Sequence, residues 1–295
     1  VVAQSNEAAL KTAVVVLTYN RPDALLAVLR ALAPQCGPQH EVWIADDGSR
    51  PDAVQQMKAG LPRFACPVRH VWHPDVGFTA ARARNLAAAR SDADYLVFLD
   101  GDCIPNKSFL GQHARLVCSS SYINGSRVLL SERLSKQVLV QQADPVHASL
   151  RQWLGWRMAG DCNKLLHAAV TWSLPRRANP RFVWKGIRSC NLGVWASDFR
   201  AVNGFDESFS GWGHEDADLV LRLHHHGCRR INGFLATEVF HLWHPEQKRS
   251  QEASNRRRVL QRLQQGVVQA EQGLTEQSVA DAAVLITELT QPLKN

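Results

Sequence analysis

The sequence predicts an α/β protein with a doubly wound, mostly parallel sheet. Short apolar runs alternate with stretches of helical periodicity over about the first hundred residues, which is the rhythm of βαβ units. Acidic residues directly follow several of these runs, and in doubly wound sheets ligands collect at the carboxyl ends of the strands. A length of 295 residues suits one large domain or a domain with a substantial appendage.

Four strands are predicted in the first half of the chain, each followed by polar or turn-forming residues. The first run, TAVVVL, is apolar on both faces, as parallel strands are when helices cover the sheet. Pro22 suits the first turn of the helix that comes next. The fourth run, YLVFL, ends at Asp100. The predicted strands are residues 12–17, 41–45, 68–72 and 95–99.

The second half of the chain shows a different pattern, with longer helical stretches that carry Trp and Arg. The elements expected here are helix 141–166, strand 189–195, helix 215–227, irregular strand and loop 231–240, and a polar helix from 247 to about 272. We therefore divide the chain into three units: 1–130, 131–250 with a helical insertion, and a helical tail, 251–295.

The net charge of +7 is concentrated in one segment. Residues 133–188 hold ten Lys or Arg and two Asp, a local charge of +8, which leaves −1 for the rest. The same segment carries four of the nine tryptophans. Such a segment can bind nucleic acid, an anionic glycan or an anionic membrane surface, and it is also typical of a solvated basic face. The sequence leaves these alternatives open.

Composition indicates a globular protein of the cytosol. The chain is 45% hydrophobic and 21% charged, so it can bury a core. No apolar run approaches the ~20 residues that span a bilayer, and the first residues lack the form of a signal peptide. Seven cysteines without CxxC spacing predict reduced thiols. We expect a cytoplasmic location, with peripheral contact at the inner face of the membrane as an option.

Two acidic clusters and a pair of histidines are the most informative feature of the chain. They are Asp100-Gly101-Asp102, Glu215-Asp216, and His241 with His244. The first cluster lies at the end of a predicted buried strand, where alternation directs both carboxylates the same way. Oxygen ligands with one imidazole suit Mn²⁺ or Mg²⁺ carrying a diphosphate, and a separate carboxylate suits a general base. The pattern therefore predicts metal-assisted group transfer from a nucleotide-activated donor.

Several ordered motifs resemble family 2 glycosyltransferases, which have the GT-A fold. In the first half these motifs are residues 14–21 (VVVLTYNR), 45–49 (ADDGS), Gly77 with 83–85 (ARN), and 98–102 (FLDGD). Residues 211–218 (GWGHEDAD) resemble the second-half motif of the β1,4-galactosyltransferase group. The resemblance covers roughly residues 12–250, is weak over 130–185 and is absent after about 265. It implies that unit 1–130 binds a nucleotide sugar and unit 131–250 binds the acceptor.

On the donor side, the resemblance implies roles for a set of residues near the ends of the predicted strands. Those residues are Thr18, Tyr19, Arg21, Asp46, Asp47, Arg84 and Asp100. Asp46 matches the carboxylate that accepts the imide N–H of uracil, and Asp100 faces the ribose or a metal-bound water. Ordinary turn chemistry before Gly48 also explains the two aspartates of ADDGS, and a salt-bridged surface helix also explains Arg84.

On the metal and acceptor side, the resemblance assigns Asp102 and His244 to the ion, with His241 as the rival imidazole or a sugar contact. Packing in the core is the alternative for either histidine. Asp216 matches the base that deprotonates the acceptor, and Glu215 hydrogen-bonds acceptor or sugar hydroxyls. An acidic first helical turn favoured by the helix dipole would also explain these two carboxylates.

The same motif supplies candidates for contact with sugar. Trp212 offers a flat apolar face on which a sugar ring can stack, and Gly213 is a further candidate contact to acceptor or sugar. His214 stands where the galactosyltransferase group usually has Gly, a difference in the donor-sugar pocket.

The predicted function is therefore inverting, metal-dependent transfer of a sugar, with a UDP-sugar as the expected donor. The expected acceptor is a bacterial surface glycan or its lipid-linked precursor. The basic, Trp-rich segment, including Arg176, Arg177 and Arg181, is expected over the carboxyl edge of the sheet as an acceptor platform or a membrane-facing surface. The alternative is a nucleic-acid-binding module that uses this segment, although the acidic edge would repel a polyanion. If the chain transfers a sugar, as predicted, no nucleic-acid partner is expected.

Overall fold

A computed structural model provides the structure of the chain. The residues that it describes are 10–170, 178–179, 182–184, 186–209, 211, 213–245, 251–275 and 283–290. Trp172, Arg176, Arg177, Arg181 and Trp212 lie outside the described residues.

Strands and helices alternate through the first half, as the sequence predicts. The strands are β1 (Thr12–Thr18), β2 (His40–Asp46), β3 (Val68–Trp72), β4 (Tyr95–Asp100), β5 (Cys103–Pro105), β6 (Ser121–Asn124), β7 (Ser126–Leu129), β8 (Ala178–Asn179), β9 (Asn191–Trp195), β10 (Arg229–Asn232), β11 (Glu238–His241) and β12 (Leu285–Thr290). The helices are α1 (Pro22–Leu32), α2 (Pro51–Gly60), α3 (Ala80–Ala88), α4 (Phe109–Leu116), α5 (Glu132–Leu139), α6 (Leu150–Met158), α7 (Leu166–Ala169), α8 (Ala196–Ala201), α9 (Glu215–His225) and α10 (Glu252–Gln265).

The main sheet has nine strands in the order β12-β3-β2-β1-β4-β9-β6-β10-β8. Strands β3, β2, β1 and β4 are mutually parallel, whereas β9 runs antiparallel to both β4 and β6. The chain leaves β1 towards β2 and β3 and then returns to β4 on the opposite side of β1. The strand order therefore reverses between β1 and β4, and a doubly wound sheet has its ligand crevice at such a point. The predicted α/β fold class is confirmed.

The alternating residues of β1 show how helices cover both faces of this sheet. Val14 and Val16 belong to one buried core, together with residues of α1. Ala13 and Val15 belong to a second core on the other face, together with residues of α3 and α9. Because both faces are buried, the strand is apolar throughout, which is the pattern that the sequence showed.

A small sheet of order β5-β11-β7 lies beside the carboxyl edge of the main sheet. Strand β11 pairs antiparallel with β5, and His241 lies opposite Cys103 in this pairing. Strand β5 begins directly after the acidic pair that follows β4. Backbone pairing in the small sheet thus brings the far histidines to the acidic pair.

The predicted helix 141–166 is wrong in its extent. Helix α6 begins only at Leu150, where Ser149 and Gln152 form a reciprocal capping box, and it ends at Met158 before Gly160, whose φ is +76°. Helix α7 begins at Leu166. The helical pattern is real, but the cap and the left-handed glycine confine it to two short helices.

The tail also differs from the predicted all-helical extension. Helix α10 ends at Gln265, and residues 285–290 (LITELT) form β12, antiparallel to β3 at the edge of the main sheet. Three of the six residues of the segment are β-branched, which suits an edge strand. Glu288 fixes it further, since its carboxylate lies 2.8 Å from Nε of Arg69.

A buried ionic cluster attaches α10 to α9. The carboxylate of Asp218, which is fully buried, accepts hydrogen bonds from Arg222 and from Arg262, each at 2.7 Å. Arg262 also lies 2.8 Å from Asp206. Asp218 therefore has a structural role inside the fold and does not cap the helix. Among the described residues, no helix combines the length and apolarity that crossing a bilayer requires.

Candidate active site

The site lies at the carboxyl ends of β1, β2 and β4. In the parallel register Thr18 is opposite Asp46, and Leu17 is opposite Asp100, so the ends of three strands meet at one edge. Gly101 follows β4, and its N–H donates to the carbonyl of Leu17 at 2.7 Å. A Cβ at Gly101 would lie 2.7 Å from that same backbone oxygen, so the close approach requires glycine.

One carboxylate and two imidazoles converge just beyond this glycine. Nε2 of His244 lies 3.4 Å from Oδ2 of Asp102, and Nε2 of His241 lies 3.9 Å from Oδ1. Potential ligand atoms of all three residues lie within 4.8 Å of one another. The backbone carbonyl of Asp102 also accepts a hydrogen bond from the N–H of Leu242 at 2.9 Å, which ties the two segments together.

This cluster has the composition of a divalent metal site with open positions. The sequence left His241 and His244 as rivals, whereas the structure brings both within reach of Asp102. Burial lowers the pKa of His241, so its imidazole is neutral and able to act as a ligand. Because Mg²⁺ takes oxygen ligands almost exclusively, a second imidazole favours Mn²⁺ over Mg²⁺.

Two adjacent cavities open from the cluster. The β1 cavity has a volume of about 680 Å³ and is lined by Thr18, Tyr19, Arg21, Asp47, Phe78 and Asp102, among others. The α9 cavity has a volume of about 620 Å³ and is lined by Trp184, Arg188, His214, Glu215, Asp216 and Arg256, among others. Asp100 and His244 line both cavities, so the two spaces meet beside the cluster.

The two aspartates after β2 have different surroundings. Asp46 is 2% exposed, and its two oxygens accept from the N–H of Ser49 and face Nε2 of His70, both at 2.8 Å. Asp47 lines the β1 cavity, where Oδ2 accepts from the N–H of Thr79 at 3.1 Å. The interpretation of Asp46 as the base contact does not fit this geometry, because Asp46 does not line the β1 cavity, whereas Asp47 does.

Tyr19 and Phe78 present aromatic rings to the β1 cavity. Their side chains are 48% and 43% exposed, although both are large and apolar. The Tyr19 hydroxyl donates to Asp75 at 2.9 Å, and this hydrogen bond raises the pKa of Tyr19. A planar base can stack on such rings. Phe78, His70, His73 and Asp75 were missed at the sequence level, because local patterns of short loops and of strand ends give them no distinguishing signal.

Arg84 interacts with acidic residues from both halves of the site. Its guanidinium is buried and donates to Oδ1 of Asp100 at 2.8 Å. Burial opposes its charge, but Asp100, Glu215 and Asp216 outweigh that effect and raise the pKa of Arg84. Arg84 therefore orients a carboxylate of the cavity floor. That it also contacts the nucleotide stays a prediction.

The carboxylates at the start of α9 are held in partly desolvated positions. Glu215 is buried, and burial followed by the charge of Asp216 raises the pKa of Glu215 to about 7. Burial also raises the pKa of Asp216, while a 2.7 Å hydrogen bond from the N–H of Ala217 opposes the rise. A carboxylate that is accessible from a cavity and has a raised pKa can take a proton from a hydroxyl. The geometry permits the role predicted for Asp216.

The turn before α9 has an unusual backbone. His214 has φ of +72°, in the left-handed region that a glycine adopts without strain, and Gly213 has φ of +108°. The His214 ring lies 5.8 Å from the ring of Trp184, and the guanidinium of Arg256 lies over the Trp184 ring at 5.8 Å from its centroid. His214 thus forms part of the wall of the α9 cavity.

The described part of the basic segment includes residues of the site and residues of the core. Trp184 and Arg188 line the α9 cavity at the carboxyl edge of the sheet, where the segment was expected. Trp153, in contrast, is 2% exposed and packs against Phe240, so it belongs to the core. Among the described residues of the segment, Trp184 and Arg188 thus lie at the predicted edge of the sheet, and their role as an acceptor platform stays a prediction.

The fold and the site define a protein of the GT-A glycosyltransferase class. Residues 13–170 match the model of glycosyl transferase family 2, and residues 175–245 match a model described as the N-terminal domain of galactosyltransferase. The chain belongs to glycosyl transferase family 2. The predicted likeness in both halves is confirmed.

Curated relatives share part of their length with this chain. It is 33% identical over 229 residues to validoxylamine A glucosyltransferase of Streptomyces hygroscopicus subsp. limoneus, covering 72% of this chain and 48% of the relative. It is 25% identical over 285 residues to chondroitin synthase of Escherichia coli, covering 86% of this chain and 38% of the relative. The chain thus spans about half or less of the length of these relatives.

Solved structures share the fold. S. aureus TarS 1–349 in complex with UDP-GlcNAc superposes with a TM-score of 0.58 at 15% identity, covering 91% of this chain and 69% of that one. The mannosyltransferase PcManGT from Pyrobaculum calidifontis, in complex with GDP-Man and Mn²⁺, gives 0.50 at 18% identity, covering 85% and 61%. At these identities the likeness shows a common architecture.

Proposed function

We propose that the chain catalyses inverting, metal-dependent transfer of a sugar from a UDP-sugar to a hydroxyl group. The observation that carries the proposal is the junction of the two cavities. The cluster of Asp102, His241 and His244 lies on one side, and Asp216 lies on the other, with Asp100 lining both spaces. This arrangement separates a place for a leaving diphosphate from a place for a proton acceptor.

The nucleotide occupies the β1 cavity in this proposal. Thr18 and Arg21 line it beside the ring of Tyr19, and the carboxylate of Asp47, which Thr79 holds, would accept the imide N–H of the base. A UDP donor is supported by the similar architecture of TarS in complex with UDP-GlcNAc. A carboxylate acceptor of this kind pairs with the N–H of uracil.

Asp102, His241 and His244 would hold a Mn²⁺ or Mg²⁺ ion. Such an ion supplies charge neutralisation for a leaving diphosphate when it is bound. Arg21 contributes from the protein side, since Nη1 lies 4.0 Å from Oδ2 of Asp102 and faces the same cavity. A fixed cation there favours a phosphate over water.

The α9 cavity would hold the acceptor. Asp216 takes the proton of the attacking hydroxyl, and its raised pKa improves it as a base. Glu215, with a pKa of about 7, can both donate to and accept from sugar hydroxyls near neutral pH. Attack from this side, opposite the nucleotide, produces inversion at the anomeric carbon.

We propose a bacterial surface glycan or a lipid-linked precursor as the acceptor. Support comes from the likeness to chondroitin synthase of Escherichia coli, whose name states a polysaccharide product. The ring of Trp184 in the α9 cavity provides a flat face for a sugar, the role predicted for Trp212, which lies outside the described residues.

A peripheral membrane contact is proposed for the outer face of α6. Leu150, Leu154 and Met158 are spaced by four residues and are 45%, 42% and 85% exposed. Arg151 and Arg157 flank them, and the helix holds no acidic residue. An exposed apolar stripe between arginines complements an anionic lipid surface.

Vesicle flotation tests this contact. The protein is expected to float with phosphatidylglycerol vesicles and not with phosphatidylcholine vesicles, and the double variant Leu154→Ser with Met158→Ser should stay at the bottom. Leu263→Ser, which changes an exposed leucine of α10, is the matched control. Equal flotation of both variants would contradict the proposed contact.

A panel of nucleotide sugars tests the enzymatic proposal. Release of UDP from one UDP-sugar is expected with Mn²⁺ and should stop with chelator. Asp216→Asn is expected to lower kcat by about 10²–10⁴-fold while leaving UDP binding within about threefold, because it removes the base and not the nucleotide site. Asp52→Asn, an exposed aspartate of α2, is the control. Full turnover by Asp216→Asn would end the proposal.

The nucleic-acid alternative receives no support from the geometry. It depended on the basic, Trp-rich segment, but Trp184 and Arg188 of that segment line a cavity whose floor carries carboxylates. Filter binding of random oligonucleotides over a salt series remains the direct measurement.

A further inference from the structure

Two arginines, Arg188 and Arg256, line the wall of the α9 cavity. Arg188 and Arg256 are both exposed at its rim, whereas Glu215 is buried and Asp216 half-buried at its floor. The charge of Arg188 acts on Asp216, where it opposes the rise in pKa that burial causes. Glu252 of α10 also lines this cavity, one helical turn before Arg256.

Backbone contacts fix where these two arginines lie. The N–H of Ile187 donates to the carbonyl of Trp184 at 3.1 Å, which closes a turn just before Arg188. The N–H of Arg188 itself donates to the side chain of Asn124 at 3.3 Å. Arg256 approaches from α10 and lies over the Trp184 ring at 5.8 Å. The rim is therefore built from two distant segments that meet at one tryptophan.

Arg256 lies over the Trp184 ring, and both Arg256 and Arg188 are exposed. An arginine over an aromatic face keeps its N–H groups in the ring plane of the guanidinium, where they can form paired hydrogen bonds with a carboxylate or a phosphate. The proposed diphosphate site is at the other end, beside Asp102 and His244 in the β1 cavity. Arg188 and Arg256 face the acceptor side instead, with Asp216.

Two buried groups indicate that this cavity is built for a polar ligand. Oε2 of Glu215 and Nη1 of Arg84 have no hydrogen-bond partner among the described residues, and both side chains line the cavity. Buried polar groups are normally satisfied, so unsatisfied ones at a cavity floor point to hydroxyl groups of a ligand. The cavity therefore combines hydroxyl-binding groups at its floor with anion-binding groups at its rim.

We infer that the acceptor is an acidic glycan, whose carboxylate or phosphate group is bound by Arg188 and Arg256 while its reacting hydroxyl lies at Asp216. This inference rests on the proposed transfer reaction and adds a substrate class to it. A neutral acceptor would use only the floor of the cavity and the Trp184 ring. An acidic one would use the rim as well.

Paired acceptors test the inference directly. One pair is an oligosaccharide that contains glucuronic acid and its carboxyl-reduced counterpart, and the other is a phosphorylated oligosaccharide and its dephosphorylated counterpart. The wild-type protein is expected to show a KM about tenfold lower for the acidic member of one pair, since hydrogen bonds to charged groups are the strong ones. The pair that shows the difference identifies the acidic group.

Substitution at the rim should remove that preference. Arg256→Gln and Arg188→Gln are each expected to raise KM for the acidic member about tenfold, to leave KM for the neutral member within about twofold, and to leave the Kd of UDP unchanged. Arg257→Gln is the matched control, because Arg257 is the exposed neighbour on the same helix and does not line the cavity. Added salt should raise KM for the acidic acceptor alone.

Direct binding separates this inference from the enzymatic proposal. Calorimetric binding of the paired oligosaccharides to the protein with UDP and Mn²⁺ needs no turnover, and it should show the same preference for the acidic member. Transfer or binding that is equal for acidic and neutral members overturns the acidic-acceptor inference and leaves the transfer reaction standing. Absence of UDP binding and of sugar transfer overturns both.

Discussion

Arg84 donates a hydrogen bond to Asp100 at 2.8 Å from a side chain that is almost fully buried. One residue of α3 thereby holds the carboxylate at the end of β4, and its charge also acts on Glu215 and Asp216 at the start of α9. The donor half and the acceptor half of the site are thus joined through a single guanidinium.

Replacing this guanidinium should weaken the fold as well as the site. Arg84→Met is expected to lower the free energy of unfolding by about 2–4 kcal/mol, because it leaves acidic groups without their buried cation. Urea denaturation measures the change. Arg82→Met on the same helix is the control, since Arg82 is 29% exposed and lies 3.7 Å from Glu207, and it should cost about 1 kcal/mol or less. Equal losses for the two variants would argue against a special role for Arg84.

The raised pKa of Glu215 predicts a pH-dependent stability. Burial, followed by the charge of Asp216, raises this pKa from 4.5 to about 7. Between these values the folded protein keeps a proton that the unfolded chain has released, so stability falls as the pH rises through that window. The loss that Glu215 contributes is up to about 3 kcal/mol.

Glu215→Gln should flatten this part of the stability curve, because glutamine does not ionise. Urea denaturation of the wild-type protein and of the variant between pH 4.5 and 8 measures the difference. Glu132→Gln, at an exposed position of α5, is the control and should follow the wild-type curve. Parallel curves for all three proteins would mean that Glu215 ionises normally.

Loss of a ligand from the metal cluster should weaken binding of the ion. Asp102→Asn and His244→Ala are expected to raise the Kd of Mn²⁺ about 100-fold, and to abolish the rise in Tm that Mn²⁺ and UDP give the wild-type protein. Calorimetric titration with Mn²⁺ alone measures the change in the Kd of Mn²⁺. His147→Ala, an exposed histidine outside the site, should behave as wild type. Unchanged Mn²⁺ affinity in both ligand variants would place the ion elsewhere.

The two aspartates after β2 should respond differently to the same substitution. Asp46→Asn is expected to cost about 1–3 kcal/mol of stability, because Asp46 is buried between Ser49 and His70. Asp47→Asn is expected to raise the Kd of UDP about tenfold, because Asp47 lines the β1 cavity, whereas Asp46→Asn should leave it within about twofold. Each variant serves as the control of the other. A reversed pattern would restore Asp46 as the contact to the base.

Local sequence patterns correctly predicted the elements whose formation depends on neighbouring residues. The apolar run before Asp100 predicts a strand covered on both faces, and β4 is buried up to that residue. The acidic start of α9 was also predicted correctly. In contrast, the helix predicted over 141–166 was too long, because periodicity does not reveal where a cap or a left-handed glycine ends a helix.

Local sequence patterns could not predict whether a side chain faces a cavity or the interior of the protein. Asp46 and Asp47 are consecutive and chemically identical, so sequence order alone could not tell which one faces the cavity. Only the position of β3, which brings His70 against Asp46, decides it. The same holds for Arg256, whose contact with Trp184 joins segments that are far apart in the chain.

The sequence by itself determined the doubly wound sheet, the family and the chemical nature of the acidic and imidazole groups, because strand polarity and residue type are local properties. The tertiary structure decided which groups meet. Pairing of β11 with β5 brings both His241 and His244 to Asp102, and burial of Arg84 beneath Asp100 joins the two cavities. These relationships depend on the register between distant strands, and register is set by packing of the whole core.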